Sequence, residues 1–531
     1  MLKRVVFKSV YNFFHSNKLL TEHQSGFRPH DSCVNQLSFL YHQFAKALDH
    51  KKDLKIVFCD VTKAFDRVWH DGLIYKLQKM GIRGNLLSWF INYLTNRQQR
   101  VTIRGQSSEW GNIQAGVPQG SVLGPLLFIV YINDLAEVTN SHIKMFADDT
   151  TLYLEVDNPQ ESVTILNDDL NKVKRWADMW LVNFNPSKTK TMTVSNRTLN
   201  YPPLTYDNKQ LEQVKSHKHL GITISDDLSW TNHVNIITES VSKMLNVLER
   251  LKYRLDRKTL ESIYLSFIRP KLEYSSSVWS NLSKNNIEKL EDCQLRAART
   301  ISGAKKGTKH KLIYEELSLP TLEERRHRNN LIKMHTIIHK KEPPYLYELL
   351  PNTINAEVAY NLRNRDNMRE FLCRTEKFKG SFVPNTTKEW NKLPPNLKKE
   401  VDFDKFKKEM LQNRKCNPLF YAGERKMNII HAQMRMKCSN LNSDLYDLHV
   451  KDNPSCMYCN QIEDANHFFF SCPMYTVERE QMIATIHQQI DNIDINTILY
   501  GNESLSFEQN QIIFQTVHEY IKNSGRFTNV V

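Results

Sequence analysis

Phe58-Cys59-Asp60-Val61-Thr62-Lys63-Ala64-Phe65-Asp66-Arg67-Val68 follows directly on Lys55-Ile56-Val57, so an apolar, β-branched run ends in an acid. Such a run reads as a strand, with Asp60 where the chain must leave the sheet. A second strand-like run, Ile143-Lys144-Met145-Phe146, leads into Ala147-Asp148-Asp149-Thr150-Thr151-Leu152-Tyr153, which is apolar again after two adjacent acids. The pattern predicts a β-hairpin with acids embedded between buried flanks. Carboxylates there are costly to desolvate unless a cation or hydrogen bonds compensate them. Hard divalent ions such as Mg²⁺ take carboxylate oxygens and substrate phosphates together, so two strands that each end in Asp can build a two-metal site. Each segment alone also fits a plainer account, with Asp148-Asp149 as a turn and Asp60 as a cap.

Between the two lies Gln114-Ala115-Gly116-Val117-Pro118-Gln119-Gly120-Ser121-Val122-Leu123-Gly124-Pro125-Leu126-Leu127-Phe128. Its glycines permit close backbone approach to a ligand, and the stretch after Pro125 predicts an apolar helix with proline near its start. Residues 1–230 as a whole mix short strand-like runs with helical patterns such as Leu166 to Trp180, which is an α+β domain. From 231 to 303 the apolar residues recur at helical spacing (Val241, Leu245, Leu248; Leu260, Ile263, Tyr264, Phe267; Leu290, Leu295, Ile301), a helical subdomain. Gly303 to Lys311 reads as an exposed basic loop and boundary. Residues 312–430 predict further helices, broken by Pro343-Pro344, Pro351, Pro384 and Pro394-Pro395. Residues 431–531 hold a cysteine and histidine cluster and a polar C-terminal helix.

The chain has 531 residues, 40% hydrophobic and 24% charged, which excludes a disordered tail, a collagen-like chain and low complexity. Its 72 Lys and Arg against 58 Asp and Glu leave a net charge of +14, a surplus that favours a polyanionic partner. The longest nearly apolar run, Val122 to Ile132, contains Gly124 and Pro125 and is too short to cross a bilayer, so no membrane span is expected. No secretory signal is read at the N-terminus, so the nine cysteines are expected to meet a reducing compartment.

In order and sequence the segments resemble the reverse transcriptases of non-LTR retrotransposons, the jockey-like and LINE-type elements. Phe58 to Asp66 is similar to their motif A, Gly116-Val117-Pro118-Gln119-Gly120-Ser121 to motif B, and Phe146-Ala147-Asp148-Asp149 to motif C. Gln24-Ser25-Gly26-Phe27-Arg28-Pro29 is similar to a fingers motif. Asn185-Pro186-Ser187-Lys188-Thr189-Lys190 and His219-Leu220-Gly221-Ile222 are similar to motifs D and E. The resemblance implies a right-hand polymerase, with partial fingers and an antiparallel palm to residue 230 and a helical thumb from 231 to 303. Such an enzyme extends a DNA 3′-hydroxyl on an RNA template. Asp60, Asp148 and Asp149 would carry two Mg²⁺ ions, for which Mn²⁺ can substitute.

On the same resemblance Phe65 is the bulky residue beneath the nucleotide sugar. Gln119 and Gly120 contact the nucleotide, Lys188 (or Lys190, two residues on) protonates pyrophosphate, and Arg28 lies near template or incoming dNTP. Leu220 and Gly221 form the hairpin that grips the primer end. The implied partners are an RNA template, a DNA primer, dNTPs and the element RNA as a ribonucleoprotein, in cytoplasm and nucleus. An earlier fingers segment and an upstream endonuclease, both expected from the resemblance, are not read before Gln24. The chain is therefore expected to be N-terminally truncated, and a catalytically silent remnant that only binds RNA is the alternative. A group II intron-type maturase or telomerase-like enzyme would share the palm.

Cys456-x2-Cys459-x7-His467-x4-Cys472 supplies three thiolates and one imidazole, the donor set of a structural tetrahedral Zn²⁺. Phe468-Phe469-Phe470 beside it reads either as packing for so small a module or as a platform for single-stranded bases. The basic stretch Arg435 to Asn442 is expected to touch RNA. Cys438 is read as a bystander.

Overall fold

The structure is a computed structural model and describes residues 2–197, 201–354, 366–411 and 416–528. Of the 312–430 region, positions 355–365 and 412–415 fall outside the described residues. The chain divides into two units. The first comprises Met1–His233, Ser277–Asn281 and Asn330–Phe403, and the second Val234–Ser276, Leu282–Asn329 and Asp404–Val531.

The first unit is α+β. The expected strand at 55–59 forms over Asp53–Cys59, and all seven of its residues are buried, consistent with its apolar Ile56–Cys59 stretch, while the buried Lys55 Nζ donates to Thr193 Oγ1 at 2.9 Å and Gln213 Oε1 at 2.8 Å. It is the central strand of a five-stranded sheet. One neighbour is Asp149–Val156, antiparallel with Cys59 opposite Thr150, and the other is Lys190–Val194, also antiparallel. His142–Phe146 pairs with Asp149–Val156 at one edge, and the short Glu212–Gln213 strand runs parallel to Lys190–Val194 at the other.

The apolar helix after Pro125 forms over Gly124–Tyr131 with Pro125 in its first turn, and all but one of its residues are buried. The helical pattern read from Leu166 extends N-terminally to Pro159, because Asn158 caps the helix by accepting from the Gln160 N–H. That helix fixes the entry to the acidic hairpin. Asp169, fully buried on it, accepts the Asn140 and Ser141 N–H groups at 2.9 and 2.7 Å, just before the first hairpin strand.

Leu2–Ser16 is a helix whose Val10, Tyr11 and Phe14 enter the core, an element the sequence reading left unassigned. Parts of 330–354 and 366–403 dock on the Cys33–Asp49 helix. Lys333 Nζ donates to Ser38 Oγ at 2.7 Å, Asp49 Oδ1 accepts the Thr375 N–H at 2.6 Å, and Phe39 packs beside Leu346 and Phe382.

The second unit is mainly helical, with Lys284–Ser302, Arg425–Arg435 and Phe507–Asn523 among its helices. Arg435, expected on an RNA-facing surface, is instead buried. It and Arg257 share Glu316, which accepts from Arg257 Nη1 at 2.6 Å and from Arg435 Nε and Nη2 at 2.8 and 2.7 Å. Two buried cations require a buried anion between them, and Glu316 satisfies both. The Gly303–Lys311 loop is also less free than expected, because Lys305 Nζ donates to the Ser439 carbonyl at 2.8 Å. No helix among the described residues is long and apolar enough to cross a membrane.

Candidate active site

Two strand ends bring the acids together. In the first unit's sheet Cys59 pairs with Thr150 and Phe146 with Asp149, so Asp60, one residue beyond its strand, sits beside the turn that carries Asp148 and Asp149. The turn is two residues long, and Ala147 in it has a left-handed φ of 54°. A non-glycine residue there costs about 1–2 kcal/mol, so its surroundings must hold it. The Gln24 side chain meets this turn. Its Oε1 accepts the Ala147 N–H at 2.9 Å and the Gly26 N–H at 2.7 Å, and its Nε2 approaches the Ala147 carbonyl at 3.4 Å.

The three carboxylates repel one another. Burial first, then Asp148 and Asp60, push the Asp149 carboxyl up to about 6, and burial with Asp60 raises Asp148 as well. Asp60 Oδ2 is buried and accepts no hydrogen bond. The nearest cation to that oxygen is Lys188 Nζ at 3.9 Å. Residues 183–189 wrap the Asp60 backbone to bring it there. The Thr62 N–H donates to the Asn183 carbonyl and the Asn185 N–H to the Asp60 carbonyl, each at 2.8 Å, while the Asp60 N–H donates to Thr189 Oγ1 at 3.3 Å. Lys190 points elsewhere, with Nζ on Glu212 Oε2 at 2.6 Å and on the Ser187 carbonyl at 2.8 Å.

The Gly-rich loop lies against the same region. The Gly116 N–H donates to the Val68 carbonyl and the Val117 N–H to the Phe65 carbonyl, both at 2.8 Å. Gly116 has a φ of 94°, and a Cβ there would fall 2.8 Å from the Asp66 carbonyl oxygen, so both its conformation and its space demand glycine. Gln119 Nε2 donates to Asp66 Oδ1 at 2.8 Å. Gly120 follows at a φ of 72° with open space around it. Phe65 is half-buried, stacked on Phe128 at a centroid distance of 4.4 Å and met edge-on by Phe27 at 5.9 Å. Arg28 has a buried Nη1 without a hydrogen-bond partner and lies 6.0 Å from the centre of the Tyr11 ring.

Leu220 and Gly221, with φ of 46° and 88°, form the tip of the Ser216–His219/Ile222–Ser225 hairpin. That hairpin packs on the sheet through His217, stacked on Phe58 at 4.2 Å. Sequence reasoning missed two participants. Asp66 was inside a quoted motif but without a role, and Gln24 meets a partner 123 positions away, which no local pattern reveals.

In the second unit, one ligand atom from each of Cys456, Cys459, His467 and Cys472 lies within 4.8 Å of all the others. Cys456 Sγ and Cys472 Sγ are 3.9 Å apart, and Cys459 Sγ is 3.4 Å from His467 Nε2. Phe468 and Phe469 are fully buried among Tyr475, Tyr520 and Phe527, which favours the packing role over a base platform. Cys438 is not among these four residues.

The family described as reverse transcriptase (RNA-dependent DNA polymerase) matches residues 1–224. Residues 1–224 thus resemble a reverse transcriptase domain. Similarity to curated proteins reaches past that domain. The chain is 29% identical over 335 residues to the "RNA-directed DNA polymerase from mobile element jockey" of Drosophila melanogaster, 61% of this chain and 36% of that protein. It is also 29% identical over 361 residues to the "Probable RNA-directed DNA polymerase from transposon BS" of the same species, 64% of this chain and 40% of that one. The chain therefore spans about two fifths of the length of these relatives. Among solved structures, Candida albicans telomerase with a fragment of telomeric RNA has a TM-score of 0.29 at 12% identity, covering 65% of this chain and 57% of that one.

Proposed function

We propose that this chain is an RNA-directed DNA polymerase of a non-LTR retrotransposon, extending a DNA 3′-hydroxyl on an RNA template with dNTPs. The observation that carries the reading is the convergence of Asp60, Asp148 and Asp149, three mutually repelling carboxylates with a buried oxygen on Asp60 that accepts no hydrogen bond, in a region similar to reverse transcriptases. Such a donor set fits hard divalent cations. When bound, two Mg²⁺ ions, or Mn²⁺ in their place, would activate the primer hydroxyl and neutralise charge on the leaving pyrophosphate.

The chain's own residues do the rest. Lys188 holds a proton on Nζ beside Asp60, in position to donate it to the leaving group. Phe65, braced by Phe128, presents a flat wall to the sugar and disfavours a 2′-hydroxyl. Gln119 exchanges Asp66 for the nucleotide, Gly120 leaves room for it, and the free Arg28 Nη1 can donate to phosphate or template. Leu220 and Gly221 hold the primer end. Residues 231–303 act as a thumb, with template, primer and element RNA as partners in cytoplasm and nucleus.

In the second unit the four Cys/His atoms fit one structural Zn²⁺, held by Cys456, Cys459, His467 and Cys472, which would tie the segment around Phe468 together. Primer extension on an RNA template with dNTPs and Mg²⁺ tests the proposal against Asp148→Ala/Asp149→Ala. Extension by the unaltered chain alone is expected. Absence of extension from a folded, RNA-binding chain would leave the silent remnant as the better description.

A further inference from the structure

The turn that carries Asp148 is held from outside its own hairpin. Residues 23–26 lie along the edge of the His142–Phe146 strand, where the Met145 N–H donates to the His23 carbonyl at 2.8 Å and the Ser25 N–H to the Met145 carbonyl at 2.9 Å. This places the Gln24 side chain, only 5% exposed, over the peptide groups of Ala147. One carboxamide then serves three backbone groups, accepting the Gly26 and Ala147 N–H groups and offering Nε2 to the Ala147 carbonyl. Space is closed as well, since a Cβ on Gly26 would lie 2.2 Å from the Ala147 nitrogen.

We propose that Gln24 is a positioning residue for nucleotidyl transfer, its carboxamide fixing the left-handed Ala147 and so the direction in which Asp148 and Asp149 leave the backbone. The inference rests on the polymerase reading above and extends it to a residue that touches neither substrate nor metal. The side-chain chemistry is specific. Methionine has the length but neither donor nor acceptor, and asparagine is one methylene short. Glutamate keeps the acceptors but loses the donor, and it brings a further negative charge toward Asp148 and Asp149, whose carboxyls burial and neighbouring acids already push up. A neutral amide satisfies the strained peptide without adding to that repulsion.

The test compares the full chain with Gln24→Met and Gln24→Asn by hydrogen exchange without metal, and by Mn²⁺ binding followed by electron paramagnetic resonance. Loss of a buried hydrogen-bonding partner of this kind corresponds to about tenfold. Gln24→Met is therefore expected to speed exchange at the Ala147 amide by about tenfold and to weaken Mn²⁺ binding by a similar factor. The amides of Val57 and Leu152, in the same sheet, should stay at their unaltered rates. In primer extension kcat should fall while the KM for dNTP holds, and Gln24→Asn should lie with Gln24→Met. Unchanged Ala147 exchange and Mn²⁺ affinity would overturn the proposal, as would equal speeding at Val57 and Leu152, which would mark a general loss of packing. If exchange and Mn²⁺ binding change as expected but the unaltered chain extends no primer, Gln24 still positions the turn and it is the polymerase reading that falls.

Discussion

Protons and divalent cations should compete for Asp149. Its carboxyl is held at about 6, against an ordinary 3.8, by burial and by the charges of Asp148 and Asp60. An acid with that value is about nine-tenths ionised at pH 7 and about one-tenth at pH 5, so acidification over this range should weaken Mg²⁺ or Mn²⁺ binding about tenfold through this group alone. The accompanying stability effect has a definite sign. The folded state binds the proton more tightly than the unfolded chain, so without metal the first unit loses stability as pH rises from about 4 to 6. Adding Mg²⁺ at pH 7 should restore it, because the cation replaces the lost proton. Calorimetric titration at pH 7 and pH 5, with Asp149→Asn as the control, reads the affinity, and thermal unfolding with and without Mg²⁺ at the same pH values reads the stability. Affinity that does not change between the two pH values, or the same tenfold slope in Asp149→Asn, would contradict competition at Asp149.

Three other outcomes follow from particular contacts. Glu316→Gln leaves Arg257 and Arg435 as buried cations without an anion and should destabilise the second unit by about 3–5 kcal/mol, read from the urea midpoint, whereas a shift under about 1 kcal/mol would contradict it. Zinc removal by a chelator should loosen the packing of Phe468 and Phe469 and expose Cys472 to thiol reagents; readdition of Zn²⁺ should reverse this, and Cys456→Ser should not respond. Phe65→Val should raise ribonucleotide incorporation relative to dNTP incorporation in the same extension assay, and an unchanged ratio would remove Phe65 from sugar selection.

What the sequence made legible were features written in consecutive residues. The Lys55–Cys59 and Ile143–Phe146 runs are apolar but for one lysine each, because these strands are largely buried, and each leads into acids that no buried strand would otherwise carry. The Cys456 to Cys472 cluster was equally plain, because its four potential ligand residues stand close together in the chain. Features that depend on distant partners stayed hidden. Arg435 reads as a surface cation until Glu316, 119 positions earlier, is folded beside it. Lys188 and Lys190 were indistinguishable in sequence, and only the wrap of residues 183–189 turns the first toward Asp60 and the second toward Glu212. The Gln24 carboxamide is an ordinary polar residue until the edge pairing with Met145 lays it on a strained peptide. The Leu2–Ser16 helix went unread although its Tyr11 and Phe14 are spaced for one buried face.

The central claim is that Asp60, Asp148 and Asp149 act as one centre for nucleotide addition. Single-nucleotide incorporation on an RNA template annealed to a DNA primer, comparing the unaltered chain with Asp60→Asn under saturating Mg²⁺, tests it most directly. The account requires incorporation by the unaltered chain and its loss in Asp60→Asn, with primer–template binding intact in both. Equal incorporation by the two would contradict it.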